Sequence, residues 1–103
     1  MRDAYLSLVD RLVDERVLRT PQIIEAFYKI HRSKFLPEGL EGQEGVDAPL
    51  PIGYSQTISQ PYTVAFMFEL LQPQKGQTVM DIGYGSGWTS VLLASIVGQK
   101  GKV

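Results

Sequence analysis

The stretch Thr78-Val79-Met80-Asp81-Ile82-Gly83-Tyr84-Gly85-Ser86-Gly87-Trp88 decides the fold class. Residues 78–82 read as a buried strand, and 83–87 form a glycine-rich loop. Residues 88–97 then read as a helix that is apolar over much of its circumference, as a helix covering a sheet must be. Gly98 to Gly101 is a turn, and Lys102-Val103 reads as a second strand beginning. Strand, glycine loop, helix and strand start are the opening of a βαβ unit, whose crossover is right-handed with few exceptions. The class is α/β. One strand cannot make a sheet, so the expected sheet is incomplete within these residues.

The loop can be sorted by the ligand it would take. Its glycines permit a sharp turn and let a ligand approach bare backbone, and the helix that follows offers unpaired amides at its start. A dinucleotide fingerprint beginning at Gly83 or Gly85 needs a third glycine at 88 or 90; those positions are Trp88 and Ser90. The phosphate loop needs Gly-Lys followed by Ser or Thr, which is absent. What remains is the D-x-G-x-G-x-G arrangement Asp81 to Gly87, found in class I methyltransferases that bind S-adenosylmethionine. The plain alternative is a tight strand-to-helix turn with no ligand.

Working outward, Pro73 to Gly76 is a turn. A helix starts at Ser59-Gln60-Pro61, with Val64, Met67, Phe68 and Leu71 as its expected apolar face. Residues 37–55 alternate prolines and glycines with Glu38, Glu41, Glu44 and Asp47 and read as a loop, the acidic side chains as solvated. It is longer than the ~12–15 residues usual for a structureless connection, so it is either functional or partly extended; Leu50-Pro51-Ile52 suits a short edge strand. Further back, Tyr5, Leu8, Val9, Leu12 and Val13 form one helical face, and Ile23, Ala26, Phe27 and Ile30 form another. Thr20-Pro21 supplies a capping hydroxyl and a first-turn proline for the second helix. The division expected is 1–36 helical, 37–59 loop beside the site, and 60–103 the start of the α/β part, all within one domain.

Composition excludes several classes. The 103 residues suit a single domain. Ten basic against eleven acidic side chains, net charge −1, argue against a nucleic-acid footprint. No apolar run reaches the ~20 residues of a membrane span, and the amphipathic start does not read as a secretory signal. Without cysteine there is no disulfide framework and no thiolate nucleophile; a cytosolic setting is compatible with this. One histidine and scattered carboxylates argue against a metal site. His31 reads as a surface or helix-end residue, and Trp88 and Phe66 read as core.

The segment Pro49-Leu50-Pro51-Ile52-Gly53-Tyr54-Ser55-Gln56-Thr57-Ile58-Ser59-Gln60-Pro61 closely resembles the signature of the protein-L-isoaspartate O-methyltransferase family. The order around it matches too: two helices and Arg32-Ser33-Lys34-Phe35-Leu36-Pro37-Glu38 upstream, and Glu69-Leu70-Leu71, strand and glycine loop downstream. The resemblance spans essentially the whole chain but about the first half of the family's length. It implies a Rossmann-like class I methyltransferase fold. It departs at Ser55, where glycine is usual, at Tyr84, where a small Ser or Thr is common, and at Gly45, where an aromatic is usual.

The resemblance further implies S-adenosyl-L-methionine as cofactor and isoaspartyl-containing peptides or proteins as partners, with methyl transfer to the free α-carboxylate. It makes Ser59 catalytic. Thr57, Ile58, Ser59 and Gln60 would line the shared cleft, and Gly83, Gly85 and Gly87 would approach the cofactor's methionine part with Asp81, Tyr84 and Ser86 beside them. Read by itself, Ser59 fits two roles: orienting the substrate carboxylate, with the helix start as its anion site, or a plain N-cap worth about 1 kcal/mol. Thr57 and Ile58 equally suit a short packed strand. The competing reading of the whole chain is an interaction module of the same fold that has lost catalysis and pairs its exposed strand edge with a partner.

Overall fold

A computed structural model describes residues 2–83 and 85–103. Helix α1 is Ala4–Asp14, started by Asp3, whose Oδ1 accepts from the amides of Tyr5 (2.8 Å) and Leu6 (3.1 Å). Its buried stripe is Tyr5, Leu8, Val9 and Leu12, as the spacing predicts. Helix α2, Pro21–Lys29, buries Ile23, Ala26 and Phe27. A 3-10 turn, Arg32–Phe35, leads into the long loop. Strands β1 (Leu50–Gly53) and β2 (Gln56–Ile58) form an antiparallel hairpin, with Leu50 opposite Ile58 and an irregularity between Pro51 and Gly53. Helices α3 (Pro61–Leu71) and α4 (Trp88–Val97) complete the order.

Trp88 organises the core. It is fully buried, edge-on to Tyr5 (6.4 Å) and Phe27 (5.9 Å), while Phe27 meets Phe68 at 6.1 Å in the same T-shaped manner. Edge-to-face pairs add about 0.5–1.5 kcal/mol each beyond the area they bury. Leu92, Leu93 and Ile96, which follow Trp88 along α4, belong to the same core. Gly45 also has a packing reason. A Cβ there would lie 2.6 Å from the Ala4 carbonyl oxygen, so the loop passes against the start of α1 where an aromatic would not fit.

Three expectations change. Residues 78–82 do not form a buried strand: Thr78 makes only an isolated parallel bridge with Lys102, and Met80 and Ile82 are 81% and 85% exposed. A strand is held by its neighbours, and here the ladder is limited to the Val79 amide donating to the Lys102 carbonyl and the Lys102 amide to that of Gln77. The bridge keeps the parallel sense expected of a βαβ unit, with α4 as the crossover.

The second change is in α3, which buries Val64, Ala65, Phe68 and Glu69 and leaves Met67 and Leu71 exposed. Nearly every residue from Val64 to Leu71 is apolar, so periodicity hardly constrains the helix's rotation; the observed rotation turns Glu69 inward to meet Arg19 and Thr20 at the entry of α2. Phe66, expected in the core, is consequently half exposed and stacks on Tyr62.

Third, the Thr20 hydroxyl does not cap α2; it donates to Glu69 Oε1 at 2.6 Å. Glu69 Oε2 instead takes the Arg19 and Thr20 amides at 2.8 and 2.9 Å, so a side chain of α3 holds the chain entering α2.

Candidate functional site

The site forms where the β1–β2 hairpin meets the glycine loop. Gly83, Gly85 and Gly87 have φ of 71°, 56° and 94°, the left-handed region that favours glycine. Gly85 lies beneath β2, where a Cβ would be in van der Waals contact with the Thr57 carbonyl oxygen at 3.4 Å. Ser55, Gln56 and Thr57 on one side and Gly83 and Gly85 on the other line a cleft of about 560 Å³. Two motifs about thirty residues apart in sequence are thus the two walls of one cleft.

Asp81 Oδ2 accepts from the hydroxyls of Thr89 and Ser90, both at 2.7 Å. Its side chain therefore ties the entry of the loop to the first turn of α4, bracing the loop end to end. Gly87 is the N-cap of α4 and provides no side-chain bond. The Ser86 hydroxyl is buried and has no hydrogen-bond partner among the described residues, and a buried hydroxyl without a partner is costly. Tyr84, the other polar position expected in this loop, lies outside the described residues.

Of the hairpin's expected site residues, Thr57 is exposed in the cleft, whereas Ile58 is 3% exposed and points into the core. Gln60 is half-buried; its Nε2 donates to the Asp47 carbonyl at 3.1 Å and its Oε1 accepts from Thr63. Ser59 is exposed. It is not the N-cap of α3: that position is Gln60, which makes no side-chain cap bond. The cap comes from Asp47, whose Oδ1 accepts from the Tyr62 amide at 2.9 Å. The helix start expected to receive a substrate carboxylate therefore already receives one from the chain itself. The Ser59 side chain is left at the surface while its carbonyl accepts from Arg32 Nη2 at 2.9 Å.

Sequence reasoning missed two residues here. Asp47 sat in an acidic run that reads as solvated, and its role depends on a loop fold no local pattern announces. Arg32 is 0% exposed although arginine is seldom fully buried. Nη1 donates to the Val46 carbonyl at 2.8 Å, and Nη2 to those of Ala48 and Ser59, both at 2.9 Å. Burial pulls its pKa down to about 10, with Tyr5 and Asp47 acting the other way, so it stays charged at neutral pH. His31 caps the 3-10 turn: its Nδ1 accepts from the Ser33 amide, which leaves Nε2–H to donate to Asp3 Oδ1 at 2.9 Å. Among the described residues no group of three or more His, Cys, Asp or Glu side chains is placed to hold a metal ion. No helix among them is long and apolar enough to cross a membrane.

Comparison with known proteins agrees with both motifs. The family profile of Protein-L-isoaspartate(D-aspartate) O-methyltransferase matches residues 4–103. The chain is 43% identical over 102 residues to a protein-L-isoaspartate O-methyltransferase of Methanopyrus kandleri, covering 99% of this chain and 45% of that one. It is 45% identical over 96 residues to protein-L-isoaspartate O-methyltransferase 2 of Archaeoglobus fulgidus, covering 93% and 43%. It thus spans somewhat under half the length of these curated relatives. The fold superposes with a TM-score of 0.76 and 25% identity on a solved Plasmodium falciparum chain, assigned as a protein-L-isoaspartate O-methyltransferase and in complex with S-adenosyl-L-homocysteine; the match covers 87% of this chain and 40% of that one. With a profile match over nearly all of its residues and the hairpin and glycine loop meeting at one cleft, the chain belongs to the protein-L-isoaspartate(D-aspartate) O-methyltransferase family.

Proposed function

We propose that this chain supplies the cofactor loop and substrate hairpin of an S-adenosylmethionine-dependent methyl transfer to the α-carboxylate of L-isoaspartyl residues in peptides and proteins. The observation that carries the reading is the apposition of Gly85 and Thr57 across one cleft. The residues present suit the methionine part of the cofactor. Two left-handed glycines, Gly83 and Gly85, leave backbone open along the cleft, a Cβ at Gly85 would meet the Thr57 carbonyl oxygen, and the buried Ser86 hydroxyl next in the loop has no partner among the described residues. When bound, S-adenosylmethionine supplies an electrophilic methyl group on a positive sulfur.

The chain's own task is positional. A carboxylate with a pKa near ~4 is already ionised at neutral pH, so no strong base is required. The exposed Ser59 hydroxyl, free of any capping duty, donates a hydrogen bond to one carboxylate oxygen and orients the other. Thr57 shapes the wall between substrate and cofactor. Holding two reactants in register supplies roughly 7–11 kcal/mol in favourable cases. Isoaspartyl peptides as partners belong to this proposal, as does a cytosolic setting, with which the cysteine-free composition is compatible.

The test is transfer of labelled methyl to an isoaspartyl peptide beside the same peptide with normal aspartate, scored as base-labile label. Label on the isoaspartyl peptide alone supports the reading. Equal label on both removes the substrate assignment. Absence of S-adenosylhomocysteine binding by calorimetry removes the cofactor assignment.

A further inference from the structure

Ala48 stands just before β1 and Ser59 just after β2, so the two carbonyls that share Arg32 Nη2 mark the two legs of the hairpin at its base. The same guanidinium holds Val46 next to Asp47, the residue that caps α3. It also lies over Trp88, whose ring centroid is 5.4 Å from Cζ and which is the first residue of α4 after the glycine loop. One side chain therefore touches the hairpin base, the loop that starts α3 and the helix that follows the cofactor loop.

This is a costly way to fill a core. The charge is fully buried and its hydrogen bonds run to neutral carbonyls, and Nε has no partner among the described residues. An apolar side chain of similar volume would avoid burying the charge but would leave the three carbonyls without their donor. What it would lack is the planar fork, which fixes the direction of each carbonyl it bonds. Lysine would keep the charge but present a point donor on a flexible stem.

We propose that Arg32 is a positioning residue, which sets Ser59 and the hairpin base in register with the glycine loop through main-chain carbonyls. The inference rests on the role of Ser59 proposed above.

The experiment is Arg32→Lys in the full-length protein, with kinetics on an isoaspartyl peptide and the ¹⁵N resonance of the Gln60 amide, which shares a peptide group with the Ser59 carbonyl. The expected result is a Gln60 resonance that moves and a kcat that falls about 10–100-fold, since a displacement of about 1 Å has that effect, while KM for S-adenosylmethionine stays within about twofold. Adding Arg32→Lys to Ser59→Ala should then cost little more, because the two act on one step. A lowered melting temperature with kcat and the Gln60 resonance unchanged would overturn the proposal, as would full additivity with Ser59→Ala. If the unaltered protein transfers no methyl to the peptide, the functional reading fails on its own. The Gln60 resonance still decides whether Arg32 holds Ser59: moved supports it, unmoved overturns it.

Discussion

Glu69→Gln isolates the charge of a buried link between two helices. In the folded chain Glu69 Oε2 accepts from the Arg19 and Thr20 amides at 2.8 and 2.9 Å, and Oε1 from the Thr20 hydroxyl at 2.6 Å and Gln72 Nε2 at 3.2 Å. Glutamine can keep the two amide bonds through its one oxygen, and the Thr20 hydroxyl can turn to accept from its nitrogen. The bond from Gln72 is lost, since two donors then face each other. Hydrogen bonds to a charged group are worth about 1.5–3 kcal/mol and neutral ones about 0.5–1.5. Part of the difference is offset because the neutral amide is cheaper to bury, so the net cost at neutral pH should be about 1–2 kcal/mol.

The pH dependence gives this prediction its specificity. Burial pushes the Glu69 carboxyl up, but the bonds from the Thr20 hydroxyl and amide and the Arg19 amide, with the Arg19 charge, outweigh it and hold the pKa below the ordinary value. The unfolded chain therefore binds this proton more readily than the folded one. The stabilising contribution is complete above the ordinary glutamate pKa and disappears as pH falls through the lower folded value. Urea unfolding of both proteins, at neutral pH and at successively lower pH, should show a gap that closes in acid with the denaturant slope unchanged. A gap that persists undiminished in acid would refute the reasoning, as would the absence of a gap at neutral pH.

Asp47→Ala and Ser59→Ala should separate stability from function. The first should cost about 1 kcal/mol as a lost helix cap, visible as a lower melting temperature. The second should leave the melting temperature unchanged and abolish most methyl transfer, because the exposed Ser59 does not cap α3. Ser55 has φ +58° at the hairpin tip. Relieving a left-handed non-glycine residue gains about 1–2 kcal/mol against about 0.5–1 of added chain entropy, so Ser55→Gly should stabilise the chain by about 0.5–1 kcal/mol in the same unfolding assay. Gly85→Ala places a methyl against the Thr57 carbonyl at a φ of +56°. It should weaken S-adenosylhomocysteine binding by about tenfold or more, which is about 1.4 kcal/mol, as read by calorimetry.

Much of the molecule is legible along the chain because the relevant signals are local. The stripe of α1, that of α2 up to Phe27 (Ile30 falls just past the helix end), the proline starts of α2 and α3, and the left-handed glycines of the D-x-G-x-G-x-G loop each lie within one or two turns of backbone and are found where the pattern puts them. The strand at 78–82 is different. Its residues carry the right apolar character, but a strand exists only with neighbours to bond to, and here it is reduced to one bridge with Lys102.

The sequence by itself thus determined the helix starts, the apolar faces of the first two helices, the glycine loop and the family. Those follow from short-range sterics, from side-chain periodicity and from motif order. Only the tertiary structure decided that Glu69 rather than Thr20 secures α2, that Asp47 rather than Ser59 caps α3, and that Arg32 is buried beneath the hairpin. In each case a polar group finds its partner across 14 to 50 residues of chain. A buried donor or acceptor must be satisfied by whatever the packed fold brings near it, and which group that is depends on the assembled core around Trp88.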